Sequence, residues 1–190
     1  MKKMFMAIVG LFLLTGCKDL EGVLNVAQQF SLKTTQGQVA VSPGQYQTSL
    51  DFKRNKVVAK MKTNQGQIKF EISTKETHLP ENGQYMIPAN KSGQNFDMYG
   101  ENKTVYQRSE IKSGVESCTY QDHETVCTPK GCITQPVTRW GQRYIQYYDE
   151  TRTLDAQFII AAVQTTQSKA QFNGRSQETY RVVTSSGICR

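Results

Sequence analysis

Histidine and tryptophan are almost missing from this 190-residue chain, and no long apolar run interrupts it. Only His78 and His123 could act as imidazole acid or base, and neither has an obvious nucleophile close by in sequence. No G-x-S-x-G, H-E-x-x-H or phosphate-cradling glycine loop occurs, so the motif-bearing hydrolases, zinc proteases and nucleotide-binding enzymes have no signature here. The longest uncharged apolar stretch, Met4 to Leu14, has 11 residues. As a helix it would cover ~16 Å, about half of the ~30 Å hydrocarbon core of a bilayer. An uncleaved membrane-spanning anchor is therefore a poor reading. Acids are also absent from Lys53 to Lys69, a stretch carrying Lys53, Arg54, Lys56, Lys60, Lys62 and Lys69.

The N-terminus is the most informative segment. Lys2 and Lys3 give a positive start, the apolar run follows, and Leu14-Thr15-Gly16-Cys17 closes it with small residues before a cysteine. This is the layout of a secretory signal peptide, and its last four residues resemble the lipobox of bacterial lipoproteins. The resemblance covers the first 17 residues. It implies cleavage after residue 16 and acylation of Cys17 with a diacylglyceryl group, palmitate being typical of the chains. Two or more acyl chains hold a protein stably on a membrane without any segment crossing it. Lys18, where an Asp would favour inner-membrane retention, points to the outer membrane, on its periplasmic or its surface face.

The mature chain, Cys17 to Arg190, has 174 residues, enough for one domain or two small ones. Without Lys2 and Lys3 its 21 basic residues face 16 acidic ones, a formal charge of about +5. The basic stretch from Lys53 to Lys69 would suit anionic lipid, lipopolysaccharide or wall polymer; a solvated strand face is the plainer reading. Nothing suggests nucleic acid. With Cys17 assigned to lipid, Cys118, Cys127, Cys132 and Cys189 remain, and an even set in an oxidising compartment reads as two disulfides. The spacing of Cys118, His123, Cys127 and Cys132 lacks the tight C-x2-C pairs of structural zinc sites, so no metal and no other cofactor is expected. With Asp122-His123 as a two-residue turn, Cys118 would face Cys127, leaving Cys132 for Cys189.

Residues 17–29 read as a lipidated N-terminus and tether, with a turn or two of helix from the spacing of Leu20, Val23, Leu24 and Ala27. Residues 30–190 read as an all-β domain. Tyr46, Thr48, Leu50 and Phe52 alternate with polar residues, as do Val57, Ala59 and Met61, and then Ile68, Phe70 and Ile72. Arg54-Asn55 and Asn64-Gln65-Gly66 punctuate these runs, which indicates an antiparallel meander. Lys33-Thr-Thr-Gln-Gly-Gln-Val39 is echoed by Lys62-Thr-Asn-Gln-Gly-Gln-Ile68, a recurring hairpin. Further strands are expected at 84–87, 95–99, 103–107, 115–121, 124–128, 137–149, 152–163, 169–174 and 176–184. Residues 108–114 mark a seam between two β subdomains, since the four disulfide cysteines follow it. The expected fold is a β-sandwich or barrel-like meander with two disulfides.

Two fragments mislead. Ser109-Glu-Ile-Lys112 and Lys91-Ser92-Gly93 match elements of penicillin-binding proteins, but in the wrong order and without S-D-N. Leu79-Pro-Glu-Asn-Gly83 resembles a sortase signal, yet it is internal. The best ligand-like feature is a strand whose one face would carry Trp140, Gln142, Tyr144, Gln146 and Tyr148. Flat rings alternating with amides can stack on sugar rings and hydrogen-bond their hydroxyls. Peptidoglycan, a surface glycan or an envelope protein would be natural partners. The plainer alternative buries these rings against a second layer. Two function classes follow: a non-catalytic envelope binding or scaffolding module, which is the preferred reading, and a small hydrolase with a site assembled from loops around His78 or His123.

Overall fold

The computed structural model describes residues 19–165 and 167–190. The expected signal peptide and Cys17 lie outside the described residues. Eleven strands and one short helix account for most of the rest: β1 Leu20–Val26, β2 Phe30–Thr34, β3 Gly37–Val41, β4 Gly44–Lys53, β5 Lys56–Thr63, β6 Gly66–Ser73, β7 Gly83–Ile87, α1 Ala89–Ser92, β8 Asp97–Arg108, β9 Lys112–Thr128, β10 Gly131–Ala161 and β11 Ser168–Ser186. All eleven strands belong to one open antiparallel sheet, so the expected antiparallel all-β class holds. No helix among the described residues is long and apolar enough to cross a membrane.

The chain forms two compact units. The larger takes the described residues up to Thr104 together with Leu154–Ser176; the smaller takes Val105–Thr153 and Gln177–Arg190. The expected seam at 108–114 is thus corrected. A break does fall at 109–111, between β8 and β9, but the chain returns to the larger unit after Thr153.

In the larger unit the strand order is β3-β2-β6-β5-β4-β1-β11-β10-β8-β7. The alternating residues of β4 to β6 behave as their pattern predicts: Thr48, Leu50, Val57, Ala59, Met61, Phe70 and Ile72 are buried, and Tyr46, Phe52 and Ile68 pack against the core. The residues read as strand rather than helix near 154–163 do the same, with Ala156, Phe158 and Ile160 buried. Phe158 stacks on Phe172 at 4.8 Å between ring centroids.

The echoed heptapeptides are two copies of one turn. Thr34 Oγ1 donates to the Gly37 carbonyl at 2.8 Å and accepts from Gln36 N–H at 3.2 Å. Thr63 repeats this with Gly66 and Gln65 at 2.9 and 3.2 Å. A third copy, which the sequence reading did not single out, joins β9 to β10: Thr128 bonds the Gly131 carbonyl at 3.2 Å and accepts from Lys130 N–H at 3.3 Å. The closing glycines have φ of 117°, 124° and 130°, a region that side-chain-bearing residues avoid.

Two expectations fail here. Residues 17–29 are not a tether with helical turns: β1 runs through them, paired with β4 on one side and β11 on the other. Leu20, Leu24 and Val26 are buried, and Gly22 shares their inward face. Its missing side chain makes room for the Phe172 ring, whose Cζ lies 2.6 Å from where a Cβ would stand. Only Lys18 and Asp19 separate Cys17 from this strand in the sequence. The domain therefore starts at about residue 20, not at residue 30.

The ladder between β2 and β6 has a single paired position, Thr34 with Phe70. Gln94, 4% exposed, completes it with its side chain. Its Nε2 donates to the Lys33 carbonyl at 3.0 Å and the Glu71 carbonyl at 2.8 Å, and its Oε1 accepts from Lys33 N–H at 2.9 Å. Phe96, two residues on, meets Phe30 edge to face at 5.9 Å. Both side chains come from the β7–β8 connection, so that connection seals the core next to β2.

Candidate binding face

The smaller unit is built on β10, flanked by β9 and by the C-terminal part of β11. The disulfides are Cys118–Cys189 and Cys127–Cys132. The pairing expected from sequence, Cys118 with Cys127 and Cys132 with Cys189, is wrong because Asp122-His123 is not a turn. β9 runs unbroken from Lys112 to Thr128 and turns at Pro129-Lys130, which sets Cys127 directly opposite Cys132. Cys118 lies opposite Gly141, and the terminal residues cover that position. Gln142 N–H donates to the Arg190 carbonyl at 2.8 Å, Gly187 N–H donates to the Tyr144 carbonyl at 2.8 Å, and Cys189 is thereby brought to Cys118.

Successive strand residues face opposite sides, so Trp140, Gln142, Tyr144, Gln146 and Tyr148 share one face of β10. Trp140 is 80% exposed and Tyr144 78% exposed, and both glutamines are exposed. These rings do not pack into a core. Opposite them on β9, in register, stand Thr119, Ser117, Val115 and Ser113, all short. The rings therefore protrude above their neighbours. Trp140 and Tyr144 stand ~13 Å apart along the strand, with Gln142 between them. Gln146 accepts from the Ser185 hydroxyl at 3.3 Å, which steadies its amide. The opposite side of the ribbon carries buried Ile145 and the Arg143–Glu116 and Arg139–Asp122 ion pairs, so the two sides are chemically distinct.

The row ends in a fixed cluster. Tyr148 is half-buried beneath the Arg108 guanidinium, 5.1 Å from the ring centroid. Arg108 Nε donates to Glu150 Oε2 at 2.6 Å, and the Tyr180 hydroxyl donates to Oε1 of the same carboxylate. The Tyr180 hydroxyl, and then Arg108, hold Glu150 below the ordinary carboxylate range. Tyr180 is in turn pushed up to about 12 by the bond it donates to Glu150. Glu150 is ionised and Tyr180 protonated at neutral pH, which makes the cluster a brace rather than a proton-transfer pair.

The two histidines belong to different units. His78 is exposed in the loop before β7, and His123 is exposed in mid-β9 opposite Pro136 instead of at a hairpin tip. Among the described residues no hydrogen bond or ion pair reaches either imidazole. Several open clefts in the larger unit have no histidine in their lining. One of them, about 640 Å³, is open and lies across the outer side of β1, β11, β10 and β8. Arg175 grips Asp155 there through Nε at 2.6 Å and Nη2 at 3.1 Å, and this pairing holds Asp155 below its ordinary range. Sequence reading missed this cleft, whose lining residues come from four strands far apart in the chain.

No known protein family, no curated protein and no solved structure matches this chain.

Proposed function

We propose that the protein is a lipoprotein of the bacterial envelope, held on the outer membrane through acylated Cys17, that works as a non-catalytic binding module. Its contact face is the row Trp140, Gln142, Tyr144, Gln146 and Tyr148, and its partner is a glycan such as peptidoglycan. The observation that carries this reading is the near-complete exposure of Trp140 and Tyr144 on a braced strand. Exposed aromatic area costs solubility unless it is used. Rings with few rotatable bonds stack on a flat partner at little entropic cost, and the interleaved amides supply donors and acceptors for hydroxyls.

Trp140→Ala tests it. Because the ring touches little, the change should leave stability within about 0.5 kcal/mol of wild type while weakening pull-down on purified cell wall. Undiminished pull-down would remove the glycan reading. Anchoring is tested separately: labelled palmitate should enter wild type and not Cys17→Ser, and equal labelling of both would refute it.

A further inference from the structure

We propose that the β4–β5 hairpin is a headgroup-binding surface that seats the protein on anionic phospholipid beside its own lipid anchor. The inference rests on acylation of Cys17 and deepens that reading by naming what the protein touches at the membrane. Two residues of chain reach at most ~7 Å, so Asp19 stays within that distance of Cys17. Asp19 is fixed in the fold: its carboxylate meets Lys60 Nζ at 3.1 Å. Leu20, the next residue, pairs with Leu50, three residues before the end of β4. The acyl chains therefore enter the bilayer next to the Lys53-Arg54-Asn55-Lys56 turn.

The outer side of this corner carries cations on adjacent strands. Lys53 and Lys56 are directly opposed in register, and so are Lys60 and Lys69. The acids facing them are Asp51 on Lys53 at 2.7 Å, Glu71 on Lys56 at 2.9 Å, and Asp19 on Lys60. Five cations (Lys53, Arg54, Lys56, Lys60 and Lys69) thus meet three carboxylates. Arg54 sits exposed at the turn and makes no ion pair among the described residues. Opposed like charges such as Lys60 and Lys69 are unfavourable in isolation and are relieved by an anion placed over both. Phosphodiester headgroups supply that anion, and the negative surface of the leaflet draws basic residues within a Debye length of it.

The test uses the lipidated protein, purified in detergent and reconstituted into vesicles of phosphatidylcholine alone or with phosphatidylglycerol. Lysine acetylation is read by mass spectrometry, which also reports the acyl mass on Cys17. Lys169 is the internal reference, because its carbonyl bonds Ala27 and Gln28 past the end of β1 that is farther from Cys17. With phosphatidylglycerol, Lys53, Lys56 and Lys60 should acetylate about threefold more slowly, the reference should not change, and 0.5 M salt should abolish the difference as roughly a 4 Å screening length dictates. Equal protection on both vesicle types would overturn headgroup recognition. No protection on either, with acyl mass present, would overturn the surface and leave the anchor standing. Cys17 without acyl mass would overturn the anchor and this inference with it.

Discussion

Gln94→Met keeps the length and volume of a side chain that stands in for a missing rung between β2 and β6, but removes its polar atoms. Three hydrogen bonds disappear: two to carbonyls and one from the Lys33 N–H. Each is worth about 0.5–1.5 kcal/mol net, and a buried group left without a partner costs about 1–3 kcal/mol. Gln94 is 4% exposed, so water does not replace it freely, although Lys33 itself is exposed at its side chain. The expected loss is about 2–4 kcal/mol, which for a chain of this size lowers Tm by roughly 4–16 °C. Denaturant titration with the slope held against wild type gives the free energy directly. Lys33→Ala is the control, since Gln94 bonds only the backbone of Lys33; it should be near neutral. A Gln94→Met protein within about 0.5 kcal/mol of wild type would show that the single Thr34–Phe70 rung and the Phe30–Phe96 contact suffice.

The other predictions concern staples, a glycine and pH. Removing Cys118–Cys189, which spans 71 residues, should cost about 4 kcal/mol on the loop-entropy model, against about 2 kcal/mol for Cys127–Cys132, which spans five; unreduced peptide mapping should recover those two pairs and no others. Gly22→Ala should destabilise by about 1–3 kcal/mol, because the added methyl meets the Phe172 ring and the β11 backbone; an unchanged melting curve would contradict the packing described. Glu150 is lowered, so its contribution is present above the ordinary carboxylate range and is lost as pH falls through its folded value. Tyr180 is raised, so its contribution is present below pH 10 and is lost as pH rises towards about 12. Glu150→Gln should flatten both limbs of a Tm-against-pH curve, and a curve of unchanged shape would refute the coupling.

Legibility in the sequence followed burial. From β4 to β6 one strand face is buried and the other wet, so alternation names the core directly. The Thr-x-x-Gly turn was visible twice because its flanking residues repeat; its third copy, Thr128 to Gly131, has Pro129-Lys130 between and no echo around it. β1 was hidden by Gly22. A glycine on the inward face breaks the period-two signal, and Leu20, Val23, Leu24 and Ala27 then imitate a helix. The hairpin error has the opposite origin. β9 is exposed at most of its positions, so polar residues such as Asp122 and His123 sit within a strand at no cost and carry no turn signal. The aromatic face of β10 was legible as a pattern, but only the structure shows that Trp140 and Tyr144 face water.

Trp140 is the only tryptophan in the chain, so its emission reports on the proposed contact without labels. In the free protein the 80%-exposed indole should emit at long wavelength and be quenched readily by acrylamide. Titrating soluble peptidoglycan fragments should shift the emission to shorter wavelength and shield the ring from quenching, saturably, and Tyr144→Ala should weaken the titration. An indole already shielded in the free protein, or one unmoved by saturating fragments, would contradict the account.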